Sequence, residues 1–200
     1  MPRRRDTARG LRECSGVVLA GGASRRMGRD KALLRVAGEP LWRRQVKVLR
    51  AAGAEPVAIV RRDGQRVLDR EILHLRDAWE DAGPMAGLEV ALSEMEGRWV
   101  AVLAVDMPGI EAAWFKWLHG FCGPGRGAVV RHAGGSEPLA AIYPREARAV
   151  VSRRLKAGRL SMQELVTALA RGRRMHVVRV EGAEKGRWRN WNTPEDRRGG

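Results

Sequence analysis

Residues 17–31 read VVLAGGASRRMGRDK, and the rest of the chain can be placed around them. Val17, Val18, Leu19 and Ala20 form an apolar run of the length of a buried strand. Gly21-Gly22 break it, and a small, cationic loop follows: Ala23, Ser24, Arg25, Arg26, Met27, Gly28. Asp30 and Lys31 precede a second apolar pair, Leu33-Leu34. Glycines lack Cβ and tolerate positive φ, so successive N–H groups can converge on an anion. Arg25, Arg26 and Lys31 would add full charges to those partial ones. A strand running into Gly-Gly is also an ordinary turn, and the spacing is neither the dinucleotide G-x-G-x-x-G nor the P-loop. What distinguishes this loop is the fixed order of Gly-Gly, Arg-Met-Gly and lysine.

Composition narrows the field. Two hundred residues, 44% of them hydrophobic, fit one globular domain with a sizeable core. No apolar stretch is long enough to span a membrane. The basic start, MPRRRDTARGLREC, has no apolar centre, so it is not a secretory signal and reads as a flexible arm over residues 1–14. Cys14 and Cys122 show no CxxC spacing, which points to a reducing cytoplasm and away from a zinc site or disulfide framework. The formal net charge of +15 raises nucleic-acid binding as a rival function. The basic residues are spread along the whole chain, however, and no nucleic-acid motif accompanies them. Such a surface also favours small anionic substrates such as nucleotides.

Downstream, residues 39–53 place Leu41, Val46, Leu49 and Ala52 at helical spacing, with Pro40 suited to the first turn and Gly53 to the C-terminal cap. Pro56–Val60 reads as a second strand, ended by the turn residues Arg61-Arg62-Asp63-Gly64. A short helix over Gln65–Arg70 and a strand over Ile72–Leu75 come next. Strand, loop, helix, strand is a βαβ unit with a right-handed crossover and a parallel sheet. Ligands of such sheets bind outside the carboxyl ends of the strands. That rule gathers the glycine loop, Arg61 and the loop after Leu75 on one edge.

Gly83-Pro84-Met85-Ala86-Gly87 opens a helix, whose first turn offers unpaired N–H donors, and Gly87 permits a close approach. A plain proline-started helix accounts for it equally. Arg98–Val105 is the most apolar strand, expected to be central, and ends at Asp106-Met107-Pro108. A carboxylate just past a buried strand lies at the ligand edge, and oxygen ligands suit Mg²⁺; an aspartate closing a turn before proline is the structural alternative. Ile110–Leu118 reads as a helix whose Trp114, Phe115 and Trp117 pack inward. Ala128–Val130 and Pro138–Tyr143 flank a turn over His132–Ser136. Helices over Arg145–Lys156 and Ser161–Ala170 follow, the second with a Ser161/Glu164 capping box, then a strand over Met175–Val180. In NWNTPED, residues 190–196, Thr193 caps a terminal helix and Pro194 fits its first position. His74, His119, His132 and His176 have no metal-ligand spacing.

Together these stretches resemble a known family. The loop from Leu19 to Lys31 is similar to the signature L-A-G-G-x-x-x-R-M-G-x-x-K of the nucleotidyltransferases, and within them to the molybdenum cofactor guanylyltransferase family. The Gly-Pro-x-Ala-Gly segment, Asp106-Met107-Pro108 and N-x-N-T-P-E-[DE] match as well, so the resemblance runs from Ser15 to Asp196. It implies a single Rossmann-like nucleotidyltransferase domain over residues 15–196, three-layer α/β/α with a mostly parallel sheet, and a tail over 197–200. It also implies transfer of GMP from GTP to the phosphate of Mo-molybdopterin with Mg²⁺ as cofactor, and passing contact with molybdoenzyme maturation proteins. By resemblance Leu19, Ala20, Gly21 and Gly22 hold the nucleotide, and Arg26 and Lys31 stabilise charge on the α-phosphate and pyrophosphate. Asp106 holds the metal, and Gly83, Pro84 and Gly87 enclose the base. Asp77 matches an acidic nucleotide contact, with Glu80 and Asp81 as rivals. Asn190 and Asn192 shape the acceptor pocket, where Arg131 and Glu137 are further contacts. One departure is Arg61, where the family often has asparagine: it could hold a phosphate or shift the base preference. A cytidylyltransferase, another small-molecule nucleotidyltransferase, or a basic NTP- or nucleic-acid-binding protein remain as alternatives.

Overall fold

The first strand, β1 (Cys14–Leu19), is buried along its whole length and has a strand on either side. In the computed structural model, which describes residues 11–20, 35–36, 38–61, 72–76, 79 and 82–180, it is longer than the apolar run alone predicts. Cys14, Ser15 and Gly16 extend it backwards because small side chains fit there. A Cβ on Gly16 would lie 3.1 Å from Ala54 Cβ and 3.2 Å from Leu49 Cβ. The folded chain also begins before the boundary expected at Ser15. Leu11 is buried, and its N–H donates to Ala52 O at 3.1 Å.

After β1 come a small ribbon of β2 (Arg35–Val36) and β3 (Glu39–Pro40), then helix α1 (Leu41–Ala52). The helix ends as the sequence predicts, with Gly53 at φ 97° and its N–H on Arg50 O. A side chain is rarely tolerated at that φ. Strands β4 (Val57–Arg61) and β5 (Leu73–Arg76) complete the parallel half. The helix expected over Gln65–Arg70 lies outside the described residues. Helix α2 (Pro84–Glu94) leads into β6 (Trp99–Ala104), which pairs in parallel with β1 over six residues. The expectation that this strand is central holds: the sheet order is β5, β4, β1, β6, then β9 (Ala140–Pro144), β7 (Gly127–His132) and β10 (Met175–Arg179). The short β8 (Gly135–Ser136) pairs with β7 as a hairpin.

The sheet is mixed as well as mostly parallel, because β9 runs antiparallel to both of its neighbours. Side chains alternate between the two faces of the sheet, and because both faces are covered the central strands are buried throughout and feed two apolar layers. Val18, Ile59, Ala101 and Leu103 meet α1 and α3 (Ala112–His119) on one face. Val17, Val60, Val100 and Val102 meet α2, α4 (Arg148–Lys156) and α5 (Met162–Arg171) on the other. Phe115 is fully buried, while Trp114 and Trp117 are half-buried with ring centroids 5.6 Å apart, so these aromatics pack as expected. Half of the expected capping box is present: Ser161 Oγ accepts from Glu164 N–H at 3.3 Å, while the Glu164 carboxylate accepts from Arg154 Nη2 at 2.5 Å.

Candidate active site

In a sheet of this order, β1 and β6 are the pair between which the chain changes direction. The crevice outside their carboxyl ends is the expected ligand site. Hydrogen bonds hold β1 on both sides up to its last residues. Val105 N–H donates to Leu19 O at 3.1 Å, and Ala20 N–H donates to Val60 O at 3.0 Å. The backbone that enters the glycine loop is therefore locked to the strands carrying Asp106 and Arg61. Asp106 follows directly and is half-buried.

The turn around Asp106 is held from α1. Gln45 is fully buried, and its amide nitrogen donates to Met107 O at 2.8 Å and to Ala104 O at 3.3 Å. Next to it, Arg44 Nη2 donates to Pro108 O at 3.3 Å. No described residue donates to Gln45 Oε1. Two such bonds contribute about 1 kcal/mol each, and an unsatisfied buried carbonyl costs about 1–3 kcal/mol. On balance Gln45 adds little to stability; what it does is fix backbone. Sequence reasoning passed over both residues. The signal was present, because Gln45 lies four residues after Leu41 and four before Leu49, on the apolar face of the helix.

Other predicted residues reach the same edge. Arg61 is half-buried at the end of β4, and its register partner on β5 is Arg76. Gly83 caps α2 with φ 62° and ψ −149°, a backbone region that demands glycine. Pro84 takes the first helical position. Gly87 does allow a close approach, and the approach is to the sheet: a Cβ there would lie 2.9 Å from Leu19 Cδ2 and 3.4 Å from Val60 Cγ1. Beyond β9, Glu137 Oε1 accepts from His132 Nε2 at 2.6 Å, while His132 Nδ1 accepts from Gly134 N–H at 2.9 Å. Arg131 Nε donates to Ser136 Oγ at 3.1 Å. The buried Tyr143 hydroxyl, its pKa raised by desolvation, donates to Pro138 O at 2.8 Å and closes the turn entering β9. Gly21, Gly22, Arg26, Lys31, Asp77, Glu80, Asp81, Asn190 and Asn192 lie outside the described residues.

Two cavities formed by described residues lie away from this edge. One of about 330 Å³ sits among Gly97, Arg98, Gly125, Arg145 and Glu146, and one of about 430 Å³ lies by Arg50, Glu55, Pro56 and Leu73. Both are at the amino ends of strands, and neither includes a predicted site residue. Among the described residues no three His, Cys, Asp or Glu side chains group into a metal cage. Among the described residues a cation at Asp106 would find one carboxylate, with waters and substrate phosphates to complete its shell. That is the usual manner of Mg²⁺, so the residue present fits the ion.

A sequence model of the MobA-like NTP transferase domain matches residues 16–178. The chain belongs to that family. Within the MobA-like family, it is 58% identical over 186 residues to a probable molybdenum cofactor guanylyltransferase of Opitutus terrae, covering 92% of each chain. It is 35% identical over 185 residues to the molybdenum cofactor guanylyltransferase of Xanthomonas euvesicatoria pv. vesicatoria, again over 92% of each. Its fold is similar to the crystal structure of molybdopterin-guanine dinucleotide biosynthesis protein A from Archaeoglobus fulgidus, with TM-score 0.69 and 23% identity over 91% of this chain and 94% of that one. A Mycobacterium tuberculosis protein solved in complex with manganese has the same fold, with TM-score 0.68 and 21% identity over 93% of this chain and 96% of that one. As the sequence predicts, this is a nucleotidyltransferase of mixed α/β fold. No helix among the described residues is long and apolar enough to cross a membrane.

Proposed function

We propose that this protein transfers GMP from GTP to the phosphate of Mo-molybdopterin, giving molybdopterin guanine dinucleotide and pyrophosphate. The observation that carries the reading is 58% identity, over 92% of both chains, to a probable guanylyltransferase for that cofactor. The position of Asp106 beside the end of β1 supports it. A terminal phosphate oxygen of the acceptor attacks the α-phosphorus, the bond to the bridging oxygen breaks, and pyrophosphate leaves with the electron pair. No protein nucleophile is needed, and catalysis rests on positioning and on neutralising charge. The backbone from Leu19 and Ala20 into Gly21-Gly22 holds the nucleotide. Arg26 and Lys31 stabilise charge that develops on the α-phosphate and the leaving pyrophosphate. Asp106 would hold Mg²⁺, which would supply charge screening of the phosphates. Gly83 and Pro84 border the base, with Gly87 seating their helix on the sheet, and Asp77 is an acidic contact to the nucleotide. Arg61, at the carboxyl end of β4 beside the exit from β1, contacts a nucleotide phosphate. Asn190 and Asn192, with Arg131 and Glu137, belong to the acceptor side. The two free cysteines support a cytoplasmic setting.

Calorimetric binding of the four NTPs, each with Mg²⁺, tests the assignment. Preference for GTP is expected; preference for CTP would move the function to cytidylyl transfer, and no binding at all would remove the site. Lys31→Ala and Asp106→Ala should each slow pyrophosphate release by about 10²–10³-fold with folding intact. Wild-type rates would overturn their roles.

A further inference from the structure

We infer that Gln45 is a positioning residue for Asp106: it fixes the turn that presents the carboxylate and thereby sets the affinity of the site for a divalent cation. The inference rests on Asp106 being the metal ligand, as proposed above. Five consecutive residues, 104–108, carry Asp106 at their centre, and α1 holds three of their carbonyls. Gln45 takes those of Ala104 and Met107, and Arg44 takes that of Pro108. The N–H groups on the approach to Asp106 are held from the strands: Ala104 N–H by Leu139 O at 2.8 Å, and Val105 N–H by Leu19 O at 3.1 Å. The turn's own bonds are longer, with Met107 N–H on Ala104 O at 3.4 Å and Ile110 N–H on Met107 O at 3.2 Å. Of the turn's described backbone bonds, those around the Asp106–Met107 peptide are the longest, so the two donors from α1 add the firmer restraint on its plane.

Stability does not account for a glutamine here. Gln45 is fully buried, yet its Oε1 accepts from no described residue. A methionine of similar size would fill the space without that cost. What methionine cannot do is donate to two carbonyls, one on either side of Asp106. A metal ligand whose supporting hydrogen bonds are lost typically binds its ion about 10–100-fold more weakly.

The test is Mn²⁺ binding to the protein saturated with GTP and without acceptor, read from the water-proton relaxation enhancement of the ternary complex over that of Mn²⁺–GTP alone. Wild type, Gln45→Met, Arg44→Met and Asp106→Ala are compared, each with its urea midpoint. Gln45→Met should bind Mn²⁺ about tenfold more weakly with an unchanged or higher urea midpoint, and Arg44→Met should shift affinity in the same direction. In turnover, the Mg²⁺ concentration for half-maximal rate should rise with kcat at saturating Mg²⁺ recovered, a split that a general loss of structure would not produce. Wild-type affinity in Gln45→Met, with binding abolished in Asp106→Ala, overturns the inference alone. Should Gln45→Met not fold, wild-type affinity in Arg44→Met overturns it. Mn²⁺ binding that survives Asp106→Ala, or is absent from the wild type, removes the metal-ligand reading, and the inference falls with it.

Discussion

Replacing Gly87 by alanine sets two effects of opposite sign against each other. Alanine in place of glycine within a helix is favourable by about 1 kcal/mol. The new Cβ, however, would lie 2.9 Å from Leu19 Cδ2, inside any normal carbon–carbon contact, while its 3.4 Å to Val60 Cγ1 is tolerable. Leu19 is buried at the end of β1, so its side chain has little room to retreat. Overpacking of this kind costs about 1–3 kcal/mol. The net expectation is a loss of about 1 kcal/mol, a fall in Tm of about 2–4 °C for a chain of this size. In a Leu19→Val background the offending methyl is gone and only the helix gain remains. There Gly87→Ala should be stabilising, so the two substitutions couple by about 2 kcal/mol and the sign reverses. Urea denaturation of the four proteins measures the cycle. If Gly87→Ala is equally harmful with valine at 19, the glycine is not there to admit Leu19. A direct role toward the nucleotide base would then be the better account.

Other consequences are as concrete. At Gly127 a Cβ would run into the carbonyl oxygen of Ile142 on β9, so Gly127→Ala should cost about 3 kcal/mol or more, seen as a lowered urea midpoint; a variant of wild-type stability would contradict the strand contact. Burial pushes the Cys122 thiol up to about 12 and raises Cys14 as well, so native protein at pH 8 should label with a thiol reagent far more slowly than unfolded chain, and prompt labelling of both would refute it. Because the unfolded thiols ionise near 9 while the folded ones stay protonated, stability should also decline as pH rises above 9. Burial lowers the pKa of His119, whose ring stands edge-on to Trp99. The unfolded chain therefore takes up the proton first as pH falls below 6.5, and stability should drop there. His119→Phe should flatten that slope between pH 7.5 and 5.5, and an unchanged slope would place its cause elsewhere.

How much of this was legible depended on whether the determinant was local. The apolar runs of β1 and β6 and the caps at Gly53 and Ser161 each declare themselves within a few residues, and the structure has an element at each, with β1 extended backwards to Cys14. That Asp106 stands just past the end of β6 could be read because an apolar run stops at it. The place of β9 between β6 and β7 could not. Val129 and Ala141 look equally strand-like, and only long-range pairing decides which strand lies next to which. Gln45 was missed for another reason. A glutamine on a helix otherwise rich in charge reads as solvated, and its burial depends on a carbonyl-rich turn some sixty residues away in sequence. Gly87 was read for its freedom of approach without the partner, because the side chain it accommodates belongs to a strand, and only the fold brings the two together.

The strand that escaped the sequence also sets how the sheet would come apart. β9 pairs with β6 over five residues but with β7 in register only at Ala128 and Ile142. Pulled from its ends, a sheet parts at its least-stitched seam, and here that seam divides the fold into unequal pieces. On one side β7, β8, α5 and β10 form a flap tied together by the parallel pairing of β10 to β7 and by the Gln163–Ser136 bonds. On the other side, β1, β4 and β6 stay laced to one another. Amide exchange should find the flap opening at a lower free energy than the strands that carry Leu19 and Asp106. The half proposed to take the acceptor would then open while the half proposed to take the nucleotide stays shut.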